Sequence, residues 1–183
     1  FTGDLGWEIY VPISQQLKLY ESLLNAGNDL KAKPVGSRSL LSLRVEKGYG
    51  SWGNEYSPEY WPHEVGLDHL IKLEKPTFFG KEVYTQVRQS LPRQKLVILE
   101  VRTNLGADPA GGEPIFLEDG TPVGQVKSGA FSYSSKKSLA LSMIKSEYAL
   151  VDQIFDVAVI GRKHEAVILA DPPFDPQGKR LRA

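Results

Sequence analysis

Cysteine is absent from the 183 residues. That excludes a disulfide framework, thiolate catalysis and a zinc site built on sulfur, while leaving the compartment open. Net charge is lacking too: lysine plus arginine and aspartate plus glutamate each number 22. No long-range field therefore draws the chain toward nucleic acid or an anionic membrane. No apolar run approaches the ~18 residues of a membrane span, and no basic-then-apolar leader opens the sequence. Only three histidines occur. His63 and His69 stand six apart, where a helical zinc motif needs four, so no metal site is expected. No glycine-rich phosphate loop follows a strand, and no Gly-x-Ser-x-Gly occurs. The one methionine is Met143, and the sequence opens at Phe1 inside a motif, the pattern of a fragment.

What remains is a globular composition with two textures. Leu5, Trp7, Ile9 and Val11 alternate with Gly6, Glu8 and Tyr10, a strand period that follows a turn at Thr2-Gly3-Asp4. Ser14 stands as N-cap of a helix with Leu17, Tyr20, Leu23 and Leu24 on one face, closed by a left-handed Gly27. A second helix runs from Ser37 or Ser39 to Lys47 and stops at Gly48. Residues 69–74 alternate as a strand, and 79–90 read as a helix burying Phe79, Val83 and Val87. Beyond Pro92-Arg93 the pattern turns to short strands at 95–102, 113–117, 122–128, 138–144, 154–160 and 166–169. Asp119-Gly120 marks one hairpin and Gly161-Arg162-Lys163 another turn, and 104–112 form a surface loop. The fold class is therefore α+β: a mixed strand and helix portion over 1–91, then an antiparallel β-barrel over 92–183. The proline-rich tail at 172–176 should be extended, with its basic end in solvent.

Two stretches carry chemistry. Glu8, on a strand between Trp7 and Ile9, is suited to accept two parallel N–H bonds from a planar amide or aminopyrimidine such as a pterin; by spacing alone it reads as an ordinary edge-strand glutamate with a solvated face. Residues 49–61 hold five aromatics and two glycines with neither helical nor strand period. Such rings either stack on a flat ligand or plug a gap between domains.

Thr2-Gly3-Asp4-Leu5-Gly6-Trp7-Glu8-Ile9, Ser42-Leu43-Arg44-Val45-Glu46-Lys47-Gly48-Tyr49 and Trp52-Gly53-Asn54-Glu55 resemble the folate-binding T-protein (aminomethyltransferase) of the glycine cleavage system. Glu64-Val65-Gly66-Leu67, Phe79-Gly80-Lys81-Glu82 and Gly124-Gln125-Val126-Lys127-Ser128-Gly129 continue the likeness in order. Leu5-Gly6-Trp7-Glu8, Glu46-Lys47-Gly48-Tyr49 and the ending Pro173-Phe174-Asp175-Pro176-Gln177-Gly178-Lys179-Arg180 are more like the folate module of sarcosine and dimethylglycine dehydrogenases. The resemblance implies a tetrahydrofolate-dependent one-carbon transferase module, with Glu8 on the pterin and Phe1 where T-proteins have a tyrosine near the folate. Tyr49 and Trp52 are further cavity residues. Leu40 falls where T-proteins carry an arginine beside the folate, so that contact is not expected. The family's catalytic aspartate belongs to the first half of the module, so no catalytic residue is assigned here and the fragment alone should not turn over. Implied partners are reduced folate, the missing half, and an upstream FAD domain or a lipoyl carrier protein; the implied compartment is bacterial cytoplasm or mitochondrial matrix. A relative of the same fold acting only as a regulatory or folate-sensing module is the alternative.

Overall fold

The computed structural model describes residues 1–103 and 106–182. Six strands, β1 (Gln94–Val101), β2 (Pro114–Phe116), β3 (Pro122–Ser132), β4 (Lys137–Lys145), β5 (Ile154–Val159) and β6 (Arg162–Ile168), close into an antiparallel barrel in the order β1-β4-β3-β2-β5-β6. Alternation puts Leu99, Ile115, Val126, Ile144, Phe155 and Ile168 among the buried residues of its lumen. The expected α+β class and its barrel are thus present.

Two turns explain two of the hairpins, β2–β3 and β5–β6. Gly120 takes φ +86°, as the Asp-Gly signal requires. The second turn is Ile160-Gly161, with φ +46° and +69°, because Val159 already pairs with Arg162. β6 therefore starts earlier than its apolar residues indicate, since its outward positions, Lys163 and Glu165, are charged.

Strand β4 is buried on both faces from Ser138 to Ile144. Its outer face is covered by α2 (Ser37–Glu46), whose Val45 joins Leu139, Leu141 and Ile98 in a second apolar cluster on the outside of the barrel. Gly48, at φ +70°, ends the turn that follows α2.

The N-terminal portion departs from expectation. Residues 5–11 form no strand: a strand needs a ladder partner, and Leu5 N–H to the Arg180 carbonyl (3.2 Å) is the backbone bond this segment makes among the described residues. Ser14 lies inside a 3-10 turn (Ile13–Gln15), and helix α1 (Gln16–Ala26) follows it without a side-chain cap. Gly27 has φ −88°; what demands glycine there is Ala32, whose Cβ would lie 2.4 Å from an added methyl. Residues 69–74 give a 3-10 turn (Asp68–Leu70) and a further turn at 73–74 instead of a strand, with Gly66 and His69 joined by a bond between the ring Nδ1 and the carbonyl (3.0 Å). Helix α3 (Lys81–Val87) is shorter than expected and buries Tyr84, leaving Phe79 and Val83 exposed. Of the loop at 104–112, Asn104 and Leu105 lie outside the described residues.

Candidate functional site

Three charges within four residues close α2 and its turn, Arg44, Glu46 and Lys47, and all are buried. Each finds a partner in a different part of the chain. Arg44 Nη1 donates to the Tyr49 carbonyl (2.7 Å) and to Glu55 Oε2 (3.2 Å), while Nη2 donates to Ser128 Oγ (2.7 Å). Asn54 Nδ2 donates to the same Ser128 oxygen and to the Lys127 carbonyl, both at 2.8 Å. A bulge makes this joint possible. Register along β3 shifts between Val126 and Ser128, so Val126 faces the lumen and Ser128, two residues on, faces out toward Arg44.

Glu55 is fully buried. Burial pushes its carboxyl up, but Ser128, the Ser51 N–H (2.9 Å) and the Arg44 charge outweigh that and hold it below the ordinary range. Glu64 behaves alike: burial raises it, while Arg93 and the Trp61 N–H bring it lower. Glu46 is capped instead by hydroxyls, with Ser132 Oγ at 2.8 Å and Ser134 Oγ at 2.9 Å. Lys47 Nζ donates to the Asp175 carbonyl (2.5 Å) and to Asp175 Oδ2 (2.9 Å). That ammonium, aided by the Lys179 and Arg180 N–H groups and opposed by burial, holds the Asp175 carboxyl down at about 2. The tail is therefore folded back on the body, and its basic end is tied down in part: Arg180 Nε reaches Asp4 Oδ1 at 2.5 Å.

The four residues singled out as cofactor contacts are not drawn together by the described residues. Glu8 is exposed, and Tyr10 donates its hydroxyl to Glu8 Oε2 at 2.6 Å, beside a Trp7 that is 81% exposed. The strand expected to hold this carboxylate between Trp7 and Ile9 is not formed, for the same want of a ladder partner. A carboxylate with one oxygen so engaged keeps acceptor capacity on the other. Phe1 is half exposed with the Arg44 guanidinium 5.9 Å from its ring centroid. Trp52 is 80% exposed, and Tyr49 is half-buried under Lys47 (5.7 Å). Only Tyr49 of the four lines the cavity of about 690 Å³ between the 48–67 loop, β1, β6 and the tail. The aromatic stretch is anchored by Glu55 and a Trp52–Tyr56 bridge, with Tyr56 packed inward.

A model of the GCVT N-terminal domain matches residues 1–75. One of the glycine cleavage T-protein C-terminal barrel domain matches 94–175. The chain belongs to the glycine cleavage T-protein family. It is 36% identical over 173 residues to mitochondrial dimethylglycine dehydrogenase of Rattus norvegicus, covering 94% of this chain and 20% of that protein. It is 32% identical over 178 residues to an aminomethyltransferase of Desulfitobacterium hafniense, covering 97% and 48%. Against 4-methylaminobutanoate oxidase (formaldehyde-forming) of Paenarthrobacter nicotinovorans identity is 30% over 189 residues, covering 100% and 22%. The chain thus spans a fifth to about half of these relatives. Its fold matches the crystal structure of the glycine cleavage system aminomethyltransferase T from Bartonella henselae with a TM-score of 0.81, at 24% identity, over 91% of this chain and 45% of that one.

The joint of this T-protein-family chain was not assigned from sequence. Arg44, Asn54, Glu55 and Ser128 all lie in the motifs that carry the resemblance, yet no role for them follows from spacing. The available signal was local: three charges in four residues around Val45, ahead of a glycine, where a solvated helix end would not need an apolar flank.

Proposed function

We propose that this chain is part of a tetrahydrofolate-dependent one-carbon transferase module, of the kind found in aminomethyltransferases or at the end of a dimethylglycine or sarcosine dehydrogenase. The observation that carries this reading is the ordered match of both T-protein domain models along the chain. The division at 1–91 and 92–183 is supported by where the two matches stop and resume.

In this reading tetrahydrofolate is the substrate that accepts the one-carbon unit. Glu8 receives two N–H bonds from the pterin, and Phe1 stacks near it. Tyr49 lines the cavity, and the exposed Trp52 offers its ring to the ligand from outside it. Positioning is what these residues supply; proton transfer falls to groups outside the 183 residues, so the isolated chain has no turnover. An upstream FAD domain accompanies the module if the donor is dimethylglycine or sarcosine. Of the two expected compartments, the mitochondrial one is supported by the name of the Rattus norvegicus relative.

Calorimetry with a reduced folate on the complete protein tests the assignment. Glu8→Gln should lose about 1.5–3 kcal/mol of binding, the worth of a hydrogen-bonded charge. Equal affinities for the two proteins would remove Glu8 from the site, and no binding by either would favour a regulatory role for the fold.

A further inference from the structure

The start of the chain, the end of α2 and the tail meet in one knot. Gly3, at φ +83°, sits so close to Lys47 that an added Cβ would be 2.5 Å from Lys47 Cγ. Lys47, with a side chain 2% exposed, spends its ammonium on Asp175. Asp175 itself takes φ +43°, a strained value for a non-glycine residue, and its carboxylate also accepts the Lys179 and Arg180 N–H groups (2.9 and 3.1 Å). From that turn the tail reaches the N-terminal segment twice, by Arg180 Nε to Asp4 Oδ1 and by the Leu5 N–H to the Arg180 carbonyl. An added Cβ at Gly178 would also lie 3.9 Å from the Tyr49 hydroxyl.

We propose that residues 172–182 are a strap that positions the folate-contacting segment, with Asp175 and Lys47 as the pair that closes it. Residues 5–11 pair with no strand among the described residues, so what orients Glu8 from within this chain is the turn at Gly3 and Asp4, and the strap holds that turn. A strained Asp175 and a buried lysine are costly for a mere terminus, and they are kept where they fix two segments carrying candidate ligands. Asp175 and Lys47 touch no substrate and act through the segment's position. The proposal rests on the folate reading above.

The test uses the complete protein carrying Asp175→Asn, with Asp4→Asn as a milder variant that leaves the buried lysine undisturbed. Asp175→Asn should raise the KM for tetrahydrofolate about tenfold with kcat held, within the usual range of site-to-site coupling, and Asp4→Asn should raise it about threefold, just below that range. Trypsin should cut after Lys179 and Arg180 faster in both variants. By reciprocity, folate should slow that cleavage in the unaltered protein. Faster cleavage with unchanged KM makes the tail a stability clasp and overturns the proposal; so does cleavage that neither variant accelerates. Glu8→Gln is run in parallel. If it weakens folate and the strap variants do not, the strap alone fails; if it has no effect, the folate reading falls and the strap's role with it.

Discussion

The barrel and the first 36 residues are opposite solutions for apolar side chains. Every barrel strand contributes residues to a closed lumen, and the outer face of β4 is covered by α2. Helix α1 buries no residue, and Trp7, Ile9, Tyr10, Ile13, Leu17 and Tyr20 all face solvent. The same hydrophobicity is thus spent on cohesion in one region and left on the surface in the other. Stability of this chain should accordingly be insensitive to the N-terminal side chains and highly sensitive to the barrel and its joint.

The largest loss is expected at the joint. Arg44→Ala strands Glu55 without its cation and should cost about 4 kcal/mol in urea unfolding, the range for breaking a buried pair. A loss below about 1 kcal/mol would mean that water satisfies Glu55 and that the joint is looser than its distances indicate. Within the barrel, Ile115→Ala should cost about 3 kcal/mol by transfer and cavity terms.

Acid sharpens the contrast next. The folded Glu55 carboxyl titrates below its ordinary value of 4.5, so its contribution to stability is fully present above that pH and is lost as pH falls through the folded value. The urea midpoint should hold between pH 7 and pH 5, within the usual plateau, and drop below about pH 4. The Glu55→Gln variant should lose part of that drop; an identical acid profile would assign the drop to other carboxylates. The smallest effect belongs to α1: Leu17→Ser should change the unfolding free energy of this chain by no more than about 0.5 kcal/mol. A loss as large as that of Ile115→Ala would erase the distinction between the regions.

Much of the barrel was legible because alternation and turn chemistry are local. Leu99 and Val101 alternate, and Asp119-Gly120 turns, whatever lies elsewhere. β4 was legible as an apolar run but its two-sided burial was not, since that depends on Val45 far away in sequence. Residues 5–11 show a strand's alternation, but alternation records a preference for a sheet, and pairing decides whether one forms. Of the candidate site, Glu8, Phe1, Tyr49 and Trp52 were reached by resemblance, and the described contacts do not gather them. Arg44, Glu55 and Ser128 were invisible as a unit because eleven and 84 residues separate them from Arg44. In the tail, Lys179, Arg180 and Arg182 are exposed as a basic run reads, but the hold of Lys47 on Asp175 ahead of them, 128 residues away, shows in no local pattern.

The extra residue at Lys127 makes the coupling between helix and barrel a matter of parity. Drawing it into the ladder opposite Leu141, with the bulge ironed out, would rotate Ser128 into the lumen, so the guanidinium of Arg44 would lose an acceptor without any change to the helix. A slip of one position in this pairing can therefore change what the outer face of β3 offers to a helix while β3 still ladders with β4.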